Sequence, residues 1–136
     1  MIVLDCCAAV ALILGTSEGK SLEALMERDE EIISSSLLLA ELASALRKYV
    51  KAGAMAPERA TWSIRELGSL VDRFVDVSEN HVESFCEALR LDHSPYDLFY
   101  FTLARRNGAT LCTLDHSLMR LCEREGVDCI HELLPA

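Results

Sequence analysis

The sequence has no long hydrophobic run and few basic residues. No segment approaches the roughly 20 apolar residues that a membrane-spanning helix needs, and the first residues lack the basic region of a secretory signal. We therefore expect a soluble cytoplasmic protein. The chain has 22 acidic and 13 basic residues and a net charge of −9. This charge opposes broad binding to nucleic acid, which depends on lysine and arginine, so any nucleic-acid ligand must be engaged locally.

The sequence also lacks the usual spacing of a zinc site. Its six cysteines and four histidines contain no C-x-x-C pair and no H-x-x-x-H pair. Cys6 and Cys7 are adjacent and Cys112 lies in an apolar strand, which favours buried, unpaired cysteines over a disulfide framework. A zinc site is the weaker alternative. Its ligands would be His116, Cys122, Cys129 and His131.

Short apolar segments alternate with helical patterns along the chain. We predict strands at residues 1–4, 31–35, 74–77, 110–114 and 128–131. We predict helices at residues 8–14, 17–29, 37–51, 57–71, 78–89, 94–106 and 118–122. Strands separated by one or two helices predict a three-layer α/β/α sandwich with a mostly parallel five-stranded sheet. The 136 residues, 51% of them hydrophobic, contain no repeat or linker, so we expect a single domain over residues 1–136.

The helices show capping residues at their starts and apolar residues along their sides. Ser78 can cap the helix that follows it, and Ser94-Pro95 can open the next one. The apolar residues of the first of these helices are Val82, Phe85, Cys86 and Leu89. The helices between Val50 and Val71 make a longer excursion, and their apolar sides predict a dimer or partner surface.

Two strands run directly into an aspartate that begins a helix. Asp5 follows the first strand, and Asp115 follows the fourth. The carboxyl ends of parallel strands lie at the same edge of a sheet, so we expect these two carboxylates to meet in one crevice. Glu41 and Asp97 occupy positions from which they could join them.

Three of these acids also have a structural explanation. Asp5 and Asp115 are favoured helix N-caps, a role worth about 1 kcal/mol. The segment Ser94-Pro-Tyr-Asp97 has the pattern of a capping box with proline at the first helical position. Glu41 lies in an apolar run and has no basic residue three or four positions away. Such a carboxylate is expected to be partly buried and to need a partner.

A cluster of four carboxylates requires a cation. Two carboxylates about 4 Å apart repel by roughly 4 kcal/mol at an effective dielectric of about 20. Oxygen ligands of this kind favour Mg²⁺ or Mn²⁺ over zinc and usually leave room for a substrate phosphate. The chemistry that suits the arrangement is metal-assisted hydrolysis of a phosphodiester. His93 and His116 flank two of the acids and could orient ligands or move protons, although solvated or capping positions are the simpler interpretation.

The order of these motifs closely resembles that of the PIN-domain nucleases. Asp5 follows the first strand, Leu38-Leu-Ala-Glu41-Leu lies in a helix, Ser94-Pro-Tyr-Asp97 opens another, and Leu111-Cys-Thr-Leu-Asp115 ends the fourth strand. The resemblance covers nearly the whole chain. Among these nucleases, the sequence is most similar to the VapC-type toxins of bacterial and archaeal toxin–antitoxin pairs.

The resemblance implies a metal-dependent ribonuclease that uses Mg²⁺ or Mn²⁺. Its acidic quartet would be Asp5, Glu41, Asp97 and Asp115, and Thr113, in the family's T-x-D pattern, would support the site. The resemblance also implies an RNA substrate, often a tRNA or ribosomal RNA, and a homodimer. A cognate antitoxin would silence the toxin by placing a peptide, often with an arginine, near the acids. Candidate contacts to RNA phosphates, which could equally be a solvated helix face, are Arg47, Lys48, Lys51, Arg105 and Arg106.

The sequence departs from the family pattern after the first aspartate. Many relatives carry Ser or Thr there, whereas this chain has Cys6 and Cys7, neither of which is a good Mg²⁺ ligand. A phosphatase of the haloacid-dehalogenase type would need a second aspartate at position 7, and a response-regulator receiver would need an acidic pair after its first strand. Neither is present. The stronger alternative is a catalytically weak or inactive PIN-fold binding module that acts through an antitoxin or another protein.

Overall fold

A sheet of five parallel strands forms the centre of the structure, a computed structural model that describes residues 1–26 and 29–130. The strands are β1 (Ile2–Leu4), β2 (Ile32–Ser35), β3 (Arg73–Val75), β4 (Thr110–Cys112) and β5 (Cys129–Ile130). The α-helices within residues 1–26 and 29–130 are α1 (Cys6–Leu14), α2 (Ser17–Leu25), α3 (Leu37–Lys51), α4 (Pro57–Leu70), α5 (His81–Leu91), α6 (Pro95–Asn107) and α7 (His116–Glu125). The predicted α/β fold with a parallel five-stranded sheet is confirmed.

The strand order β3-β2-β1-β4-β5 creates a switch point between β1 and β4. β1 pairs with β2 on one side and with β4 on the other, where Leu4 lies opposite Cys112. The chain leaves β1 toward β2 and leaves β4 toward β5, so the two connections diverge. A crevice forms outside the carboxyl ends of two such strands. The residues that follow Leu4 and Cys112 therefore lie side by side at its base.

Helices cover both faces of this sheet. α1 to α4 pack against one another and belong to the connections that lead from β1 to β3. α5 to α7 belong to the connections that lead from β3 to β5, and α6 packs against β1, β2 and β4. Right-handed crossovers that run in opposite directions place the two sets of helices on opposite faces. The predicted three-layer arrangement is confirmed.

The central strand and one helix are buried almost all round. The residues of β1 have no exposed surface, as expected for a parallel strand that is covered on both faces. On α6, five of the six residues from Phe99 to Ala104 are buried, and only Phe99 is partly exposed. A helix enclosed in this way holds the side chains of its first turns, Asp97 and Tyr100 among them, in fixed positions.

Several element boundaries differ from those predicted. α1 begins at Cys6 rather than at residue 8, because Asp5 caps it. α2 ends at Leu25 rather than at residue 29, and β3 ends at Val75 rather than at residue 77. The predicted end of the last strand, at residue 131, lies outside the described residues. None of these differences changes the order of the elements.

The predicted helix cap at Ser78 is wrong. Asp76 accepts a hydrogen bond from the Ser78 N–H at 2.8 Å and begins a short 3₁₀ turn, Val77–Glu79, ahead of α5. Asn80 directly precedes α5 without a side-chain cap bond. Its amide instead donates to the Phe99 carbonyl at 3.0 Å, so it ties α5 to α6.

Two helices carry apolar residues that the fold leaves exposed. On α5, Val82, Phe85 and Leu89 are 63%, 60% and 70% exposed. On α4, Trp62 and Ile64 are also exposed, while Leu67 is fully buried. None of the helices in residues 1–26 and 29–130 has the length and hydropathy of a bilayer span.

Candidate active site

The four acids singled out in the sequence line one pocket at the switch point. Asp5, Glu41, Asp97 and Asp115 surround a pocket of about 370 Å³. Asp5 and Asp115 follow β1 and β4, while Glu41 lies on α3 and Asp97 on α6. The other residues of the lining are Cys6, Cys7, Val10, Ala45, Tyr49 and Tyr100.

Asp5 is the most deeply buried of the four acids, with 4% of its surface exposed. Its carboxylate accepts hydrogen bonds from the Ala8 N–H at 2.9 Å, from the Cys7 thiol at 3.2 Å and from the Thr113 hydroxyl. Burial raises the pKa of Asp5 to about 6, against the effect of these hydrogen bonds, and the charge of Asp97 adds to the rise. Asp5 therefore caps α1 and lines the pocket at the same time.

Glu41 is half-buried on α3, and its partner comes from α6. The Tyr100 hydroxyl donates a hydrogen bond of 2.5 Å to Glu41 Oε1. Burial raises the pKa of Glu41 above its ordinary value, and the hydrogen bond from Tyr100 opposes this rise. Burial and the neighbouring Glu41 also raise the pKa of Tyr100, so the phenol stays protonated and remains a donor.

Tyr100 is a residue of the pocket that the sequence analysis missed. It lies three positions after Asp97 on α6, and 2% of its surface is exposed. Residues three apart on a helix are neighbours, so the spacing from a predicted acid was a usable signal. An aromatic residue inside an apolar helix is ordinarily a core residue, so the sequence pattern alone does not reveal that its hydroxyl group contacts an acid.

Asp97 lies on the first turn of α6 but does not belong to a capping box. Ser94 precedes the helix without a side-chain cap bond, so the capping-box interpretation is wrong. Asp97 Oδ2 instead lies 2.8 Å from His93 Nε2. Burial raises the pKa of Asp97, the hydrogen bond with His93 opposes the rise, and the charge of Asp115 adds to it.

Thr113 connects the two aspartates that follow the strands. Its hydroxyl donates to Asp5 Oδ2 and accepts a hydrogen bond from the Asp115 N–H at 3.0 Å. Asp115 in turn caps α7 by accepting a hydrogen bond from the Leu118 N–H at 3.1 Å. Through this one hydroxyl, the end of β1 is fixed to the loop that follows β4.

Sequence comparison identifies the fold family. A PIN domain family model matches residues 2–124. The chain belongs to the PIN domain family. Ribonuclease VapC3 of Pyrobaculum aerophilum is 28% identical over 119 residues, which cover 86% of this chain and 91% of that protein.

Two solved structures share the PIN domain fold of this chain. The crystal structure of PAE2754 from Pyrobaculum aerophilum superposes with a TM-score of 0.69 at 21% identity, over 88% of this chain and 82% of that one. The structure of VapBC-1 from nontypeable Haemophilus influenzae gives a TM-score of 0.65 at 16% identity, over 96% of this chain and 98% of that one. At these identities, the likeness concerns the fold alone.

Cys7 forms a further link across the pocket of this PIN domain. Its sulfur accepts a hydrogen bond from the Leu114 N–H at 3.3 Å and lies 3.6 Å from the Thr113 hydroxyl. Burial raises the pKa of Cys7 to about 12, and the charge of Asp5 contributes, so the thiol stays protonated near neutral pH. Cys7 therefore acts as a hydrogen-bonding side chain toward Asp5 and the β4 loop.

Three of the predicted phosphate contacts are exposed on α3 of the PIN domain, outside the pocket lining. They are Arg47, Lys48 and Lys51. Lys48 lies seven positions after Glu41, two helical turns along the same side of α3.

The other two predicted phosphate contacts are engaged in ion pairs. Arg105 contacts Glu83 at 2.7 Å and Glu87 at 2.8 Å, and Arg106 contacts Glu83 at 2.5 Å. These pairs link α5 to α6 on the surface of the PIN domain. Both guanidinium groups would have to leave their glutamates before they could bind RNA.

The acids of the PIN domain pocket are not gathered tightly around one point. Within residues 1–26 and 29–130, no three His, Cys, Asp or Glu side chains are arranged to hold a metal ion as they stand. Repulsion between carboxylates opposes a closer approach. In the weaker zinc hypothesis, His116 is exposed and Cys122 is buried, while His131 lies outside the described residues. That hypothesis stays a prediction.

Proposed function

We propose that this PIN domain is a VapC-like endoribonuclease that hydrolyses RNA with Mg²⁺ or Mn²⁺ bound by Asp5, Glu41, Asp97 and Asp115. One observation carries the proposal most: four carboxylates from four separate segments line a single pocket. The similarity to Ribonuclease VapC3 over most of both chains supports RNA as the substrate.

The donor atoms of the pocket suit a hard divalent cation. Glu41, Asp97 and Asp115 each use one side-chain oxygen for a hydrogen bond within the protein. In the described part of the chain, the second oxygen of each has no hydrogen-bond partner and is free to act as a ligand. Mg²⁺ and Mn²⁺ prefer oxygen ligands and usually keep water molecules or take a phosphate oxygen as well.

The chain's own residues orient the ligands. Thr113 and the Ala8 N–H hold the carboxylate of Asp5, Tyr100 holds that of Glu41, and His93 holds that of Asp97. Partners of this kind commonly fix the ligands of a metal site and tune its affinity. A bound cation would supply the charge that activates a water molecule and stabilises the phosphate.

The surroundings of the pocket offer two further contacts for RNA. Lys48 on α3 is exposed and can pair with a phosphate, as can its neighbours Arg47 and Lys51. Tyr49 lines the pocket and is 39% exposed, so its ring is accessible to an unpaired base. Stacking on an aromatic ring suits single-stranded RNA, whatever its sequence.

The test is cleavage of a mixed pool of structured RNAs by purified protein with Mn²⁺. We expect cleavage that EDTA abolishes and that Asp97→Asn lowers about 100-fold or more, since loss of even an outer partner of a metal ligand commonly removes 10- to 100-fold. The matched control is Asp128→Asn, which removes one exposed aspartate outside the pocket. If folded, metal-loaded protein cuts none of the pool, the non-catalytic binding module becomes the better account.

We further propose that a cognate antitoxin binds the groove between α1, α2 and α4. This groove has a volume of about 850 Å³, and its lining includes Leu12, Met26, Trp62 and Leu70. An amphipathic helix can place its apolar face in such a groove. Coexpression with a candidate antitoxin should give a complex that copurifies, and Trp62→Asp should prevent copurification. A complex that forms equally well with Trp62→Asp would place the antitoxin elsewhere.

A further inference from the structure

A second pocket lies next to the acidic one and has a different character. It has a volume of about 610 Å³. The lining residues come from the end of α5, the α5–α6 connection and α7, and they are Leu91, Asp92, His93, Ser117, Arg120, Glu123 and Arg124. Two arginines therefore share a concave surface in a chain whose net charge is −9.

Residues that line the two pockets are in direct contact or lie on the same helix. His93 lines the second pocket, and its Nε2 atom lies 2.8 Å from Oδ2 of Asp97, which lines the acidic one. Asp115 lines the acidic pocket and caps α7, the helix that carries both arginines. The second pocket is therefore adjacent to the acidic one, on the side of Asp97 and α7.

The spacing on α7 places the polar residues on one side of the helix. Ser117, Arg120 and Arg124 follow at intervals of three and four positions, so they are neighbours on the helix surface. The two arginines are four positions apart, which corresponds to about 6 Å along the helix axis. Two guanidinium groups thus lie in a row that begins near Asp115.

These two arginines differ from the other arginines of this face. Arg90, Arg105 and Arg106 are all paired with glutamates. Across residues 1–26 and 29–130, neither Arg120 nor Arg124 forms an ion pair, although Asp92 and Glu123 belong to the same lining. Arginine binds phosphate through two parallel hydrogen bonds, so an arginine that is not already paired is suited to this ligand.

We infer that the second pocket is a binding site for the RNA backbone, in which Arg120 and Arg124 contact phosphates next to the scissile one. The inference rests on the proposed ribonuclease function and specifies how a strongly acidic protein holds its substrate. The acidic pocket must receive one phosphate, and its neighbours along the strand need positive charge close by. The second pocket provides that charge locally, which Arg105 and Arg106, held by glutamates, do not.

Binding of a fluorescent single-stranded RNA, measured by anisotropy at several salt concentrations, tests this site. An inactive Asp97→Asn background prevents cleavage during the measurement. We expect Arg120→Ala with Arg124→Ala to weaken binding about tenfold or more, because contacts to charged groups are removed. The slope of log K against log salt should fall by about 1.4, or about 0.7 for each phosphate contact.

The matched control is Arg59→Ala with Arg65→Ala, which removes the same charge from the exposed surface of α4. Its effect on affinity and salt slope should be small. The pair Arg120→Lys and Arg124→Lys keeps the charge and should restore most of the salt slope. Thermal melting of each variant identifies any that fail to fold. If the alanine pair does not fold, the RNA affinity and salt slope of the lysine pair test the site instead.

The possible outcomes distinguish a failure of the proposed phosphate-binding site from a failure of the proposed ribonuclease function. In the active background, the alanine pair should raise KM for RNA about tenfold with little change in kcat. If the alanine pair and the control pair bind RNA equally well, the second pocket is not the site, even when the protein cleaves RNA. If the parent protein cleaves no RNA but loses binding with the alanine pair, the ribonuclease proposal fails and the site stands. Failure of the parent to bind RNA at low salt overturns both.

Discussion

Asp5 is the carboxylate whose surroundings most strongly oppose its charge. It is almost fully buried, and burial raises its pKa from an ordinary value of 3.8 to about 6. An acid whose pKa is raised on folding destabilises the folded state as pH rises from the unfolded pKa through the folded one. The window here is about pH 4 to 6, and above it the shift corresponds to a cost on the order of 3 kcal/mol.

Asp5→Asn should therefore stabilise the metal-free protein at neutral pH while it destroys activity. Asparagine also caps helices and can accept the hydrogen bond from Thr113. We expect the free energy of unfolding in EDTA to rise at pH 7.5, by up to about 3 kcal/mol, and the gain to shrink toward pH 4. Denaturant melts at the two pH values measure this. An Asn variant that is less stable than wild type at pH 7.5 would show that the charge of Asp5 is well compensated without a cation.

Tyr100 has a separate and testable role as the residue that positions Glu41. Tyr100→Phe keeps the buried ring and removes only the donor to Glu41 Oε1. Because that hydrogen bond lowers the pKa of Glu41, its loss should move the acid limb of the pH–activity profile to higher pH. We also expect kcat to fall about tenfold, as for other partners of metal ligands.

The control for this change lies on the same helix. Tyr96 is 58% exposed, and Tyr96→Phe should leave the pH profile and kcat unchanged. A Tyr100→Phe variant with the wild-type pH profile would mean that Glu41 does not depend on the phenol for its orientation.

At the scale of elements, α6 contributes Asp97 and Tyr100 to the pocket, and His93 just before α6 contacts Asp97. His93 and Asp97 are one helical turn apart and meet at 2.8 Å. His93→Ala removes this partner, so the pKa of Asp97 should rise further and kcat should fall about tenfold, because a positioning group has been lost. His93→Gln can still donate to Asp97 and should recover part of the rate.

Kinetics at several pH values would measure this effect. His81→Ala is the control, since the His81 ring is exposed and lies 2.9 Å from the Ser78 carbonyl, away from the acids. Equal kcat values and equal acid limbs for His93→Ala and wild type would contradict a positioning role for His93.

The elements were more predictable from the sequence than the contacts between them. Asp5 and Asp115 could be placed together because a residue that directly follows a parallel strand inherits that strand's position at the sheet edge. The hydrogen bond between Tyr100 and Glu41 could not be predicted, because it depends on how α3 and α6 pack across the pocket. The same holds for Arg105 and Arg106, whose glutamate partners lie about twenty positions earlier on α5.

α5 shows a second limit of sequence patterns. Val82, Phe85 and Leu89 have the helical spacing of a core-facing side. The structure leaves all three more than half exposed, because the residues of α5 that face inward are others, namely Ser84, Ala88 and Leu91. Helical spacing predicts that apolar residues share one side of a helix. It does not predict whether that side packs against the core or stays exposed.

At the scale of the whole molecule, we propose that the protein forms a homodimer and that this exposed side of α5 is the interface. Contiguous exposed apolar residues usually mark an interaction surface, and a symmetric dimer requires a surface that can pair with itself. Phe85→Asp with Leu89→Asp should convert a particle with the mass of two chains into one with the mass of a single chain. Light scattering after gel filtration measures the mass.

Tyr96→Asp provides the control, because it adds a charge at another exposed aromatic residue outside α5. It should leave the mass unchanged. If wild type has the mass of one chain, or the α5 variant keeps the mass of two, the interface lies elsewhere or the dimer does not form.

The central claim is that Asp5, Glu41, Asp97 and Asp115 together hold a divalent cation. Crystals soaked in Mn²⁺ and measured at the manganese absorption edge would test it most directly. We predict an anomalous peak in the acidic pocket, about 2.0–2.3 Å from carboxylate oxygens of at least two of the four acids, and its loss in Asp97→Asn crystals. Density that shows the four carboxylates without any anomalous peak between them at millimolar Mn²⁺ would contradict the account.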